Sequence, residues 1–292
     1  MRALSVADAS IGVVPDAGID PALTTVTGFT AEVEKPDILL RASWAAGPPE
    51  PVGERLFDAG GVWDLSRANN DEYHFRFFAR GRSAVPYKEA RVSADFTSGR
   101  VTLRPEFFAA DAPRNPLGFP LDELLMVHYL STRSGVMVHA CGVVAEGAGY
   151  LFVGHSGAGK TTTALLWERQ SGARVVCDDR IVLRRKGGHT VMYGTPWHGS
   201  GRMASPEAAP LQAIFLLEHG ERNELRPITG ADAVAALIAR CFLPYHNRAG
   251  VASAVALFEE ILAEVPCLRF RFVPDESAVA AIRAWEGGRR HA

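Results

Sequence analysis

Between Tyr150 and Leu166 the chain reads YLFVGHSGAGKTTTALL. An apolar run of strand character meets a glycine-rich turn and then a segment of helical character, and that order narrows the folds open to the chain more than any other stretch. Gly154, His155, Ser156, Gly157, Ala158, Gly159, Lys160 and Thr161 fit the pattern G-x-x-x-x-G-K-S/T in the strand-turn-helix setting its mechanism requires. Glycines let the backbone take positive φ and turn successive N–H groups toward phosphate oxygens, at the positive end of the following helix. Lys160 adds a full charge toward the terminal phosphates, and the Thr161 hydroxyl can complete a Mg²⁺ shell. Gly154 to Thr162 are therefore the candidate nucleotide-binding residues, with ATP and Mg²⁺ as the expected cofactors. A plain strand-to-helix turn with an exposed lysine is the alternative, and it has no need of the G-K-T combination.

Downstream, "ARVVCDDRIVL" delivers two adjacent carboxylates, Asp178 and Asp179, at the end of an apolar strand. Neighbouring strand residues point to opposite faces, so the pair can share one metal only if the backbone kinks there; otherwise the two have different jobs. One arrangement puts one carboxylate on Mg²⁺ and the other toward an acceptor hydroxyl. A solvated strand end is the bland alternative.

The 292 residues allow two domains of ordinary size. A hydrophobic fraction of 47%, a charged fraction of 22% and a net charge of -2 suit a globular protein and give no basis for a nucleic-acid partner. No apolar run reaches the roughly 20 residues a membrane span needs, and MRALSVADAS lacks the apolar core of a signal peptide, so a cytoplasmic location is expected. Cys141, Cys177, Cys241 and Cys267 are widely spaced without zinc-ligand pairing and are expected as buried free thiols.

Up to Pro120, short alternating segments such as EYHFRFFAR, EARVSADF and RVTLRPEFF suggest antiparallel strands. The proline-rich DAPRNPLGFP then marks a boundary, and LDELLMVHYLSTRS has apolar residues at helical spacing. The expected division is a β-rich domain over 1–120 and an α/β domain over 121–292. In the latter, strands are expected at GVMVHACGVVA, YLFVG, ARVVCDD running on into IVLRR, QAIFLLEH and CLRFRFV. Helices are expected at KTTTALLWERQ, around Val234 and Leu257, and from Ser277 to Trp285. The tail GGRRHA reads as a frayed terminus.

Taken together, VMVHACGVV, YLFVGHSGAGKTTTALL and RVVCDDRIVL resemble the catalytic core of HPr serine kinase/phosphorylase, similar in turn to the nucleotide-binding part of phosphoenolpyruvate carboxykinase. The resemblance covers about Leu121 to Leu183 with specific motifs. It implies an α/β fold with a P-loop kinase core of that type behind a β-rich N-terminal domain. It also implies Lys160 as the phosphate lysine, Thr161 and Asp179 as Mg²⁺ ligands, Asp178 as the carboxylate facing the substrate hydroxyl, and His139 beside the transferred phosphate. Taken alone, His139 reads more simply as a core histidine.

Two departures bear on the acceptor. Thr162 stands where those kinases carry glutamate, and their downstream glycine-rich substrate loop is replaced by YGTPWHGSGR, in which Trp197, His198 and Arg202 form a candidate substrate loop; a tight Pro-Gly connection with Trp197 packed on the core is the alternative. LLEHGERNELRP reads as a solvated hairpin or turn. CFLPYHNRAG, with His246 and Arg248, reads as a helix-ending loop or as part of an acceptor pocket. The expected activity is ATP- and Mg²⁺-dependent transfer of the γ-phosphoryl group to a hydroxyl of a peptide, protein or small molecule, with a homo-oligomer allowed but not required. A non-catalytic ATP-binding regulator, favoured by Thr162, and an acceptor-independent P-loop NTPase are the competing readings.

Overall fold

The computed structural model describes the chain apart from residues 21–22, 69–70, 80–83, 110–113, 171 and 291–292, with residues 289 and 290 described by backbone only. Residues 111–113 of the proline-rich stretch and the last two residues of the tail thus lie outside the described residues. Among the described residues the fold is mixed α/β, with two nine-stranded sheets and five α-helices. None of these helices is long and apolar enough to cross a membrane. The chain divides into two compact units, Met1–Tyr129 and Leu130–Ala292.

The first unit holds β1 (Arg2–Val6), β2 (Ala9–Pro15), β3 (Thr30–Glu32), β4 (Ile38–Trp44), β5 (Glu54–Asp58), β6 (Trp63–Arg67), β7 (Tyr73–Phe77), β8 (Lys88–Val92) and β9 (Ser98–Leu103). They form one sheet in the order β3-β1-β2-β4-β9-β8-β7-β6-β5. The three alternating segments pair antiparallel as expected, β7 with β8 and β8 with β9, but alternation does not fix direction throughout: β4 runs parallel to both β2 and β9. A period of two marks which residues face the core whichever way the neighbouring strand runs. Helix α1 (Leu121–Ser131) follows Pro120, whose carbonyl accepts from the Leu124 N–H at 2.9 Å.

Lys88 lies inside this unit at 1% exposure. Its Nζ donates to the Gly118 carbonyl at 2.6 Å and sits 4.6 Å from the centre of the Phe77 ring. Burial pushes the ammonium down to about 7, against the opposing pull of the Asp122 carboxylate. An unfolded lysine keeps its proton to about pH 10.4. Between those values the unfolded chain binds more protons, so this group's contribution to stability rises with pH and is fully lost below about pH 7. Lys88→Met is therefore expected to gain urea resistance relative to wild type as pH falls from about 10 to about 7. A wild-type-to-variant difference that stays constant over that range would contradict a neutralised buried lysine.

The second unit holds β10 (Gly135–Ala145), β11 (Ala148–Val153), α2 (Lys160–Glu168), β12 (Ala173–Cys177), β13 (Arg180–Lys186), β14 (His189–Tyr193), β15 (Ala208–His219), β16 (Glu224–Pro227), α3 (Gly230–Ile238), β17 (Cys241–Phe242), α4 (Arg248–Glu264), β18 (Cys267–Phe272) and α5 (Ser277–Arg290). The closing helix thus runs past Trp285 through Gly287 and Gly288, residues expected to fray. The charged segment around Gly220 is a turn and not a hairpin: β15 and β16 both pair with β18, which lies between them.

β11 is central, antiparallel to β10 and parallel to β15. Its alternation feeds two cores. Leu151 and Val153, with Ile214 and Leu216 of β15, pack with Leu237 of α3 and with Leu257, Phe258 and Ile261 of α4. Tyr150 and Phe152, with Phe215 and Leu217, pack with Trp167 of α2 and with Val279 and Ile282 of α5. Helices on both faces explain why β11 reads as an unbroken apolar run. All four cysteines are buried and free.

Candidate active site

The turn leaving β11 is shaped by its glycines. Gly157 and Gly159 take φ of +81° and +95°, which few residues with a Cβ adopt. A Cβ on Gly159 would also fall 2.4 Å from Cζ of Phe272. His219, at the end of β15, donates from Nε2 to the Gly157 carbonyl at 2.8 Å and stacks on Phe272, bracing the turn. Lys160 opens α2 at 8% exposure, and its Nζ donates to the carbonyls of Gly154 and His155 at 3.0 and 3.1 Å. Burial pushes its pKa down, an effect the Asp179 carboxylate opposes and the Arg240 cation reinforces.

The acidic pair is held differently from the strand expected. The chain leaves β12 at Cys177 and enters β13 at Arg180, both strands pairing with β10, and Asp178 and Asp179 occupy the break. Strict alternation lapses there, and both carboxylates line one cavity. Asp178 is 2% exposed; its Oδ1 accepts from Gly199 N at 2.8 Å and its Oδ2 from Gly201 N at 2.7 Å. Asp179 Oδ1 lies 3.1 Å from His139 Nε2, and Arg180 Nη1 bonds Oδ2. Burial pushes the Asp179 carboxyl up, but the hydrogen bond from His139 and the cations of Arg180 and Lys160 outweigh it and hold the group below the usual carboxylate range.

The cavity encloses about 280 Å³. Its walls are Ser156, Gly157, Gly159, Lys160, Thr161 and Thr162 of the turn and α2, His139 of β10, the two aspartates, and Gly199 and Ser200. Gly154, His155 and Ala158 belong to the turn but not to that wall. Burial raises the pKa of Cys141 and Cys177 nearby, so both stay thiols and are poor nucleophiles.

Of the candidate substrate loop, Trp197 is buried at 7% exposure and its carbonyl accepts from the Cys177 thiol at 3.7 Å. Trp197, His198 and Arg202 do not line the cavity, whereas Gly199 and Ser200 between them do. His246 and Arg248 also lie off that wall; Asn247 caps α4, its side chain accepting from Gly250 N at 3.1 Å. The loop's part in the site is thus carried by backbone: a Cβ on Gly201 would fall 2.6 Å from Asp178 Oδ2. Sequence reasoning missed Gly199, Ser200, Gly201 and Arg180; only the density of glycine in WHGSGR signalled a close backbone approach.

No protein-family model matches the chain, and no curated protein matches it. Among solved structures the chain is similar to the Hpr(Ser) kinase/phosphatase from Coxiella burnetii, at 15% identity and a TM-score of 0.33, over 53% of this chain and 94% of that one. That is a distant structural similarity.

Proposed function

We propose that the protein is an ATP- and Mg²⁺-dependent kinase that transfers the γ-phosphoryl group to a hydroxyl of a peptide, protein or small-molecule acceptor, on a P-loop kinase core within residues 121–292. The observation that carries this reading is the shared cavity: a positive-φ glycine turn and its lysine face two carboxylates and a histidine across about 280 Å³. A glycine turn serving packing alone would need neither the buried lysine nor the acids beside it.

The oxygen donors present suit Mg²⁺, which takes one or two carboxylates and completes its shell with phosphate and water. Among the described residues no group of three or more acidic, histidine or cysteine side chains could hold a metal by itself, which fits an ion carried in with a nucleotide. Thr161 and Asp179 would hold it, and the ion would neutralise charge on the phosphate oxygens. The turn's amides and Lys160 bind the polyphosphate, and His139 lines the wall beside the transferring group, its ring held in place by its contact with Asp179.

Asp178 orients the acceptor hydroxyl. Two amides fix the direction of its carboxylate, and early removal of an alcohol proton by any carboxylate is unfavourable. A loose transition state asks less of it: the proton moves to Asp178 late, once the bond to ADP is largely broken. Positioning and charge then supply most of the rate.

The expected result is ADP release from ATP that depends on an added hydroxyl acceptor, measured over a panel of serine-containing peptides and small alcohols. ATP binding with no turnover on any acceptor would favour a regulator, and equal ADP release without acceptor would favour a simple NTPase.

A further inference from the structure

Arg240 follows α3 and immediately precedes the two-residue strand β17. The ladder with β10 pairs Met137 with Phe242 and Val138 with Cys241. One step further His139 faces Arg240, and the His139 N–H donates to the Arg240 carbonyl at 2.7 Å. Opposed residues of an antiparallel pair project to the same face. Arg240 therefore leaves its backbone on the side where His139 forms the cavity wall.

Its guanidinium is poorly matched. The side chain donates to the carbonyl of its own neighbour Ala239 at 3.1 Å, and among the described residues it makes no ion pair with a carboxylate. Arg180, by contrast, bonds Asp179 and lies over the Phe242 ring at 5.0 Å. Arg240 lies beside the cavity wall formed by His139 and Lys160 without itself lining it, and the two carboxylates there, Asp178 and Asp179, are already engaged by amides, His139 and Arg180. A guanidinium beside the cavity with no carboxylate partner favours an anion as its counter-charge. A guanidinium suits a tetrahedral phosphoryl group in particular, since its fork of donors can bond two oxygens at once.

We propose that Arg240 is a further anion-binding residue of this site, reaching the terminal phosphoryl group of the nucleotide from beside His139. This assignment rests on the kinase reading above. Arg240 is half-buried and belongs to neither core cluster, so its replacement is expected to leave the fold intact, which a thermal melt of each variant checks.

Calorimetry of wild type, Arg240→Met and Arg240→Lys with Mg-ADP and with the β,γ-methylene analogue of Mg-ATP tests it. The expected result is ADP affinity within about threefold of wild type in both variants, and analogue affinity reduced about 10- to 30-fold in Arg240→Met with partial recovery in Arg240→Lys. Wild-type-like binding of both nucleotides by both variants overturns the role of Arg240 and leaves the kinase reading standing. An equal loss for ADP and analogue overturns the terminal-phosphate assignment. Failure of wild type to bind either nucleotide removes the kinase reading and this assignment with it.

Discussion

Lys160→Met is expected to weaken Mg-ATP binding by about 100-fold, some 2.7 kcal/mol, while leaving the thermal midpoint within a few degrees of wild type. The two halves of that expectation have separate causes. Lys160 is the turn's one full positive charge, and its bonds to the Gly154 and His155 carbonyls hold the ammonium at the cavity wall. Charge-assisted bonds to phosphate are roughly twice as strong as neutral ones, and methionine supplies none. Stability responds differently, because burial already disfavours the charged lysine. Methionine keeps the aliphatic length and removes that penalty; of the two carbonyls it releases, that of His155 belongs to an exposed residue that water can reach, while that of Gly154 is buried at a cost of about 1–3 kcal/mol that offsets the gain. Isothermal calorimetry beside a thermal melt separates the two effects. Unchanged affinity in a folded variant would mean that the turn does not grip phosphate.

Much of this site was legible in the sequence, and the rest was not, for definite physical reasons. Side-chain periodicity reported β10 and β11 almost residue for residue, since burial on both faces leaves an uninterrupted apolar run that glycines end sharply. The turn from Gly154 to Thr161 was equally plain, because positive φ and a close contact such as Gly159 against Phe272 can be met only by glycine. The break at Asp178 and Asp179 was hidden: apolar residues flank it on both sides, so the text reads as one strand, and the pairing to β10 that resumes at Arg180 is long-range. Backbone donors leave still less trace. The amides of Gly199 and Gly201 that hold Asp178 carry no side chain to announce them, whereas the conspicuous side chain of the segment, Trp197, is buried. Arg240 escaped because β17 is only two residues long, too short to show alternation.

Those two amides also govern the second large effect. Asp178→Asn is expected to lower kcat about 1,000-fold while Mg-ATP affinity stays within about threefold. In the wild-type protein each carboxylate oxygen accepts one N–H, from Gly199 at 2.8 Å and Gly201 at 2.7 Å. Asparagine is nearly the same shape but offers one acceptor oxygen and one NH₂, so in either orientation a donor faces a donor. The loop must then shift or leave a buried N–H unpaired, at a cost of about 1–3 kcal/mol. Space for the shift is short on the glycine side, where Asp178 Oδ2 already sits as close as a Cβ-free residue allows. Under the kinase proposal the substitution removes the group that would receive the hydroxyl proton and disturbs the wall beside it, whereas the glycine turn and Lys160 lie on a separate segment and would still grip the nucleotide. A lowered thermal midpoint, a collapsed kcat and an intact nucleotide Kd form the expected signature. Full phosphoryl transfer by a folded Asp178→Asn protein would remove Asp178 from the chemistry and leave its carboxylate a purely structural clasp for the loop.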